Sequence, residues 1–320
     1  MLCLSSFAVS LLLMLVLMPY FIRMLKKHNL NQTVSEYALE EYKQKEKTPI
    51  MGGLLFVLIP SLVAILFCLK GLDKRLLFVL LSYLLFASVG FMDDYTILIK
   101  HNNEGLTPRF RLILEFCYTT FLFFVFRDII PQQVTIPFVN VGIQLKWYIF
   151  LPFMALLYMA EANAVNFTDG MDGLCAGVSF ISLLPFVILC LEYDDTNISI
   201  LLFAILGGLL GYLRFNYHPA KIFMGDSGSL ALGALFASLG ILMDKTIALF
   251  VIGGVFVIEM FCVCLQLSFV KLFHRRIFSY TPIHYAFSLK GYKETRIVPC
   301  FYLVAFILSI LGLLIALHTI

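Results

Sequence analysis

The sequence predicts an all-α protein that crosses a membrane many times. Of its 320 residues, 61% are hydrophobic and only 13% are charged, and the mean hydropathy is +0.94. A soluble domain is about 45–50% apolar and about 25% charged, so this chain has too little charge to cover a water-facing surface. The same composition excludes a disordered chain, because disorder requires low hydrophobicity. We therefore expect a single integral-membrane domain over residues 1–320.

Long apolar runs predict the membrane spans. A helix needs roughly 20 apolar residues to cross the hydrocarbon core of a bilayer. Ten runs reach or approach this length, which predicts about ten transmembrane helices. They are 3–22, 50–69, 76–92, 112–126, 147–162, 174–191, 198–213, 230–243, 247–272 and 298–317.

The basic residues predict which loops face the cytoplasm. With ten spans, alternate loops lie on the same side, and Lys and Arg are enriched in cytoplasmic loops. Most of the 23 Lys and Arg residues fall in one set of loops, which is therefore predicted to be cytoplasmic. These loops are 23–49, 93–111, 163–173, 214–229 and 271–297. On the other side, the stretch 131–147 alternates polar and apolar residues, which predicts a small non-cytoplasmic hairpin.

The predicted cytoplasmic loops contain an unusual set of acidic residues. Asp93 and Asp94 follow the third span, and Asp226 precedes a Ser-Gly-Ser run that is able to present backbone N–H groups to a phosphate. Asp169 and Asp172 are three residues apart, a spacing that places two side chains on one face of a helical turn. Because Mg²⁺ binds one or two carboxylates together with water and phosphate oxygens, the pattern predicts a magnesium and phosphate site in a cytoplasmic-face cleft.

Neutral and basic residues accompany these acids. Asn163, Asn166 and Asn216 supply further donors and acceptors for a polar ligand. His284 lies in a dense motif beside two lysines, where we expect a phosphate ligand or an acid–base group. The basic residues of the same loops, Arg111 among them, suit membrane anchoring as well as charge compensation of a phosphate.

Five sequence blocks resemble those of the polyprenyl-phosphate N-acetylhexosamine-1-phosphate transferase superfamily, glycosyltransferase family 4. The likeness covers nearly the whole chain, and the last block indicates the muramoyl-pentapeptide branch of the superfamily. The blocks are TPIMGG (48–53), DDYTILIKHNNEGLTPRFRL (93–112), NAVNFTDGMDGL (163–174), FNYHPAKIFMGDSGSL (215–230) and TPIHYAFSLKGYKE (281–294).

The resemblance implies an activity, a cofactor and a set of partners. Members of this branch transfer phospho-N-acetylmuramoyl-pentapeptide from UDP-MurNAc-pentapeptide to undecaprenyl phosphate. The products are UMP and the first lipid-linked intermediate of peptidoglycan. The expected cofactor is Mg²⁺, and the expected location is the bacterial inner membrane, with the active site on its cytoplasmic face. A homodimer is also implied, and we expect no nucleic-acid partner.

The resemblance also assigns roles to individual residues. Asp93, Asp94 and Asp226 match the essential acidic residues of the family, with Asp226 at the magnesium-ligand position, and we add His284 to this catalytic group. Phe223 matches the aromatic residue that stacks on uracil, and Lys45 matches a basic residue at the mouth of the cleft. The full set of expected substrate-binding residues is Lys45, Asn163, Asn166, Asp169, Gly170, Asp172, Asn216, Phe223 and Gln266. Whether an Asp deprotonates the lipid phosphate or attacks first as a nucleophile stays open at this point.

The chain departs from the family pattern at several positions. The family has three consecutive histidines where this chain has His284, Tyr285 and Ala286. It also has Thr at position 50 and Lys at positions 97 and 101, where this chain has Ile, Ile and His. Three alternatives stay open: a related N-acetylglucosamine-1-phosphate transferase, an inactive relative or scaffold, and an ion-coupled transporter. The transporter would hold its acidic residues in broken helices near the membrane midplane.

Overall fold

The computed structural model describes residues 1–28, 48–69, 71–100, 105–139 and 141–318. These residues form twelve helices and one two-stranded sheet. The helices are α1 (Leu2–Lys27), α2 (Gly52–Cys68), α3 (Lys74–Lys100), α4 (Pro108–Val125), α5 (Trp147–Thr168), α6 (Leu174–Glu192), α7 (Thr196–Asn216), α8 (Asp226–Leu242), α9 (Thr246–Ile252), α10 (Gly254–Phe273), α11 (Ile283–Leu289) and α12 (Glu294–Leu317). The strands are β1 (Gln133–Ile136) and β2 (Val141–Gln144).

The prediction of a multi-pass all-α membrane protein is confirmed. Within the described ranges, seven helices are long and apolar enough to cross a bilayer: α1, α3, α5, α6, α7, α10 and α12. Helices α2 and α8 are shorter but also apolar. The expected count of ten spans, and the side of the membrane that each loop faces, stay predictions.

Two predicted span boundaries are wrong. The run 247–272 is not one helix, because α9 ends at Ile252 and α10 begins at Gly254. Consecutive glycines at 253 and 254 lower the helix propensity at this point. The third span, expected to end at residue 92, continues to Lys100. Asp93 and Asp94 therefore lie within α3, about two turns before its end, and not in a loop.

Helix α8 forms the centre of the bundle. Every residue from Ser227 to Leu242 is buried, as expected for a helix that is apolar on all sides. Helices α2, α3 and α5 pack around it. A Cβ atom at Gly90 of α3 would overlap the backbone of Asp226 and Ser227, so α3 and α8 are in backbone contact at the first turn of α8.

The predicted hairpin is present at the other end of α8. Strands β1 and β2 pair antiparallel, with Gln133 opposite Gln144. Asp244, two residues after α8, accepts hydrogen bonds from Gln133 Nε2 (2.7 Å) and the backbone N–H of Thr135 (3.2 Å). Because a helix rises about 1.5 Å per residue, the length of α8 places the hairpin about 25 Å from Asp226.

Candidate active site

Asp226 begins α8, and its carboxylate is held from two sides. Arg111 of α4 donates from one guanidinium nitrogen to Asp226 Oδ2 at 2.8 Å. Asn166, on the last turn of α5, donates from Nδ2 to Asp226 Oδ1 at 2.8 Å and also to Ser229 Oγ at 2.9 Å. Each carboxylate oxygen thus accepts one hydrogen bond, which fixes its orientation and leaves other lone pairs for a ligand.

Arg111 links three side chains around this carboxylate. In addition to Asp226, it donates to Glu115 Oε1 and to Asn163 Oδ1, each at 3.2 Å. Its side chain is only 15% exposed. The sequence did not distinguish Arg111 from the basic residues that anchor helix ends in the membrane. The available signal was its i,i+4 spacing to Glu115, an acidic residue within a predicted span.

Asp94 of α3 contacts the same helix end through its backbone. Its Oδ1 accepts the N–H of Asp226 at 2.9 Å, and its Oδ2 accepts the N–H of Ser227 at 3.0 Å. The side chain is buried. Gly225 immediately precedes α8 and has no side chain with which to cap the helix. Asp94 therefore satisfies two N–H groups of the first helical turn, which would otherwise have no partner.

Asp93 precedes Asp94 but makes a different contact. The backbone N–H of Leu106 donates to Asp93 Oδ1 at 2.9 Å. Among the described residues, no donor is hydrogen-bonded to Oδ2. A Cβ atom at Gly105 would overlap this carboxylate, so the chain after α3 folds closely over it. The two adjacent aspartates thus have different surroundings.

Asp169 and Asp172 do not share a helical face, which corrects the prediction from their spacing. Helix α5 ends at Thr168, so both residues lie in the non-helical turn that precedes α6. The pKa of Asp169 is raised to about 7, because burial removes its carboxylate from water and Asp226 repels it. Asp172 instead accepts a hydrogen bond from the N–H of Ala220 (3.1 Å) and lies 2.9 Å from His218 Nδ1.

Side chains from three other segments hold this turn in place. Asn216 accepts the N–H of Gly173 at 3.1 Å and donates to the carbonyl of Ile222 at 3.0 Å. Tyr285 donates to the carbonyl of Gly170 at 3.0 Å, and Tyr302 donates to the carbonyl of Gly173 at 2.7 Å. Asn216, expected to line a cleft, thus uses both ends of its amide to join two backbone segments.

His284 lies beneath the same turn. It is fully buried, and its Nδ1 lies 3.0 Å from Oε1 of the equally buried Glu259. None of the described residues forms a hydrogen bond with its Nε2, and a Cβ atom at Gly170 would overlap that nitrogen. A direct contact between His284 and a substrate would therefore require the Gly170 turn to move.

Three of the expected binding residues lie apart from the carboxylates or outside the described residues. Phe223 is partly exposed and packs beside Ile50, Met51 and Leu98. Gln266 accepts the N–H groups of Ile277 and Phe278 at 3.0 Å each, and so holds the segment that follows α10. Lys45 lies outside the described residues. Roles for these three in substrate binding stay predictions.

The charge at the first turn of α8 is unbalanced. Four carboxyl groups lie there, those of Asp93, Asp94, Asp169 and Asp226, and within the described part of the chain the cations that act on Asp93 are Arg111 and Lys100. Neighbouring carboxylates repel one another unless a cation compensates them. Oxygen ligands with excess negative charge are what Mg²⁺ prefers, so this set of donors fits a divalent metal ion.

The fold and the site together define a multi-pass membrane protein with a polar, carboxylate-rich centre at one end of its core helix. The chain belongs to glycosyl transferase family 4, whose family model matches residues 76–244. It is 38% identical to the phospho-N-acetylmuramoyl-pentapeptide-transferase of Staphylococcus aureus, over 97% of this chain and 98% of that relative. It is 37% identical, with the same coverage, to the protein of that name from Staphylococcus epidermidis. The chain is thus a membrane-embedded member of a transferase family.

Proposed function

We propose that the protein transfers phospho-N-acetylmuramoyl-pentapeptide from its UDP-linked donor to undecaprenyl phosphate, with release of UMP. The observation that supports this most strongly is the meeting of Asp93, Asp226, Asn166 and Arg111 at the first turn of α8. They come from three of the family's sequence blocks, in a chain that matches relatives of this name along almost all of its length.

The reaction exchanges one phosphoric anhydride for another. An oxygen of the lipid phosphate forms a bond to the sugar-linked phosphorus, and the bond from that phosphorus to the UMP oxygen breaks. The bond exchange itself supplies little driving force, so catalysis must come from positioning and from neutralising the charge of the phosphates. Arg111 and Asn166, which hold the Asp226 carboxylate, lie where they can orient an anionic group.

We propose Asp226 as the main protein ligand of a magnesium ion. Each of its oxygens accepts a single hydrogen bond in the described structure, which leaves lone pairs for a metal. When bound, the ion supplies charge neutralisation for the diphosphate of the donor. The excess of carboxyl groups over cations around Asp226 in the described ranges supports this assignment.

Asp93 is the aspartate that we place next to the reacting phosphates. Its Oδ1 accepts one backbone hydrogen bond from Leu106, and among the described residues no donor bonds to its Oδ2. Because Gly105 lies close over that oxygen, a substrate would reach it once the segment at Gly105 moves. We propose that this Oδ2 atom accepts a proton from the lipid phosphate. Attack by the Asp93 carboxylate on the donor, through a covalent intermediate, remains the alternative chemical route.

An apolar cavity near α11 supports a lipid acceptor. It has a volume of about 560 Å³ and lies between α10, α11 and α12. Its walls are mainly apolar, with Val255, Phe301 and Val304 among them, while Lys290 and Arg296 also line it. Apolar walls together with basic side chains match a prenyl chain that carries a phosphate.

A reconstituted assay tests the function directly. The purified protein in detergent is supplied with undecaprenyl phosphate, Mg²⁺ and either UDP-MurNAc-pentapeptide or UDP-N-acetylglucosamine, and the lipid product and UMP are measured. We expect product with the muramoyl donor only, and none after Mg²⁺ is removed. Product with the N-acetylglucosamine donor instead would identify the related transferase. Absence of product with both donors would refute the proposal.

A further inference from the structure

The two adjacent aspartates of α3 are bound in different ways, and the difference separates their roles. Asp94 is 1% exposed, and each of its oxygens accepts a backbone N–H at the start of α8. Asp93 accepts one backbone hydrogen bond. Both Asp94 oxygens are directed at the backbone of α8 and the side chain is almost fully buried, so a substrate could reach this carboxylate only if α3 and α8 moved apart. The Asp226 side chain, in contrast, is 22% exposed.

The partners of Asp94 lie at a helix end that has no cap of its own. The residue before α8 is Gly225, with a backbone φ of 76° and no side chain to accept a hydrogen bond. Such helix ends carry unpaired N–H groups and a partial positive charge, and both favour a carboxylate. Charge-assisted bonds of this kind are roughly twice as strong as bonds between neutral groups. Asp94 therefore supplies from α3 the cap that α8 lacks.

One of the two bonds also determines where Asp226 lies. The N–H that Asp94 Oδ1 accepts is that of Asp226 itself, so the bond holds the backbone from which the Asp226 side chain extends. That side chain must reach both Arg111 and Asn166. A shift of the first turn of α8 would change both distances together.

We infer that Asp94 is a positioning residue: its carboxylate caps α8 and so places Asp226. Asp93, which makes no such bonds to α8 among the described residues, stays the aspartate that the proposed function puts beside the reacting phosphates. The part of this inference that concerns substrates and Mg²⁺ depends on the proposed function. The part that concerns the cap does not, and it is tested separately.

The test compares Asp94→Asn with Asp93→Asn, a matched pair at adjacent positions. Asn keeps one acceptor but turns its NH₂ group toward a backbone N–H. We therefore expect D94N to lower Tm in detergent by about 3 °C or more. Amide hydrogen exchange in the peptide that contains the first turn of α8 should become at least tenfold faster. The D93N variant should neither lower Tm nor speed this exchange, because none of the described hydrogen bonds joins Asp93 to α8.

Catalytic measurements extend the comparison. For D94N we expect the half-saturating Mg²⁺ concentration to rise about tenfold, with turnover partly recovered at high Mg²⁺, because Asp226 is displaced but still present. For D93N we expect turnover to fall at least 100-fold at any Mg²⁺ concentration. If D94N fails to accumulate in the membrane while D93N does, the cap is supported, and the Mg²⁺ comparison is made with Asp94→Glu, which retains both acceptor oxygens.

Two results would overturn the inference. One is a D94N protein with wild-type Tm, wild-type exchange and wild-type Mg²⁺ dependence whose turnover is nevertheless lost. The other is faster exchange at α8 in D93N than in D94N. If the wild-type protein turns over neither donor, the proposed function fails, and Tm and hydrogen exchange still decide whether Asp94 caps α8.

Discussion

Aspartates lie at both ends of α8, but the two groups differ in how well their charge is compensated. At the hairpin end, Asp244 accepts hydrogen bonds from Gln133 and from both the N–H and the hydroxyl of Thr135. Nearby, Asp195 pairs with Arg75 at 2.8 Å. Hydrogen-bond donors or a cation compensate each of these carboxylates, which thereby join the hairpin and the loops to the helices.

At the Asp226 end, the carboxyl groups outnumber the cations among the residues that the structure describes. Repulsion there destabilises the folded state unless a further cation arrives. The contrast teaches that buried acidity alone does not indicate chemistry in this protein. Acidic groups that lack enough cations to compensate them do indicate chemistry. Four substitutions test this distinction between the two ends.

The largest effect is expected for Asp226→Asn. The change preserves the shape of the side chain but removes the charge that we propose to bind Mg²⁺, so turnover should fall by about 10³-fold or more. Tm should stay the same or rise, because one of several repelling charges is lost. UMP release and thermal unfolding measure the two effects. Turnover within tenfold of wild type would contradict the role of Asp226.

Arg111→Lys should have the next largest effect. Lysine keeps the charge but cannot donate to Asp226, Asn163 and Glu115 at once, as the fork of arginine does. We expect kcat/KM to fall by about 30-fold, which corresponds to about 2 kcal/mol of transition-state stabilisation. Arg109→Lys, an exposed position two residues away, is the matched control. Equal losses in both variants would show that only the basic character of this segment matters.

The pH dependence of stability should reveal Asp169. Its folded-state pKa is raised to about 7 from an ordinary value of 3.8, so the folded protein retains a proton that the unfolded chain has released. Stability must therefore fall as pH rises from about 4 to about 7, by at most about 1.4 kcal/mol per pH unit, and level off above that range. In Asp169→Asn this part of the slope should disappear, as measured by Tm across the pH series. An unchanged slope would count against the raised pKa.

The smallest effect is expected at the hairpin end. Asp244→Asn removes the charge and some of the acceptor capacity that hold Gln133 and Thr135, which should cost about 1 kcal/mol of stability. Turnover should be unchanged, because this end of α8 lies about 25 Å from Asp226. A large loss of activity in a stably folded Asp244→Asn protein would break the distinction between the two ends.

Some parts of this molecule could be predicted from the sequence because they depend on local patterns. Apolar runs indicate spans, and alternating residues indicate the hairpin, which pairs as expected. Motif blocks pointed to Asn163, Asn166 and Asp226, which the fold brings into one network through Arg111. Each of these signals is contained in a short stretch of chain.

Other features depend on contacts between distant segments and left no local signal. The bond from the Asp226 N–H to Asp94 joins residues 132 positions apart, and nothing near either residue indicates it. Arg111 looked like any basic residue at a helix end until Glu115 and Asp226 were seen beside it. Gln266, expected in the cleft, instead binds the backbone at 277 and 278, because the path of the chain after α10 could not be predicted.

The backbone contact at Gly90 has a consequence for how this protein tolerates sequence change. Since even a methyl group at this position would strike the backbone at Asp226, alanine there would push α3 and α8 apart. The carboxylate of Asp94, one helical turn further along, would move with α3. The distance between Asp94 and Asp226 thus depends on Gly90, a residue without a functional group. A larger residue at position 90 would therefore disrupt the site as much as the loss of one of its aspartates.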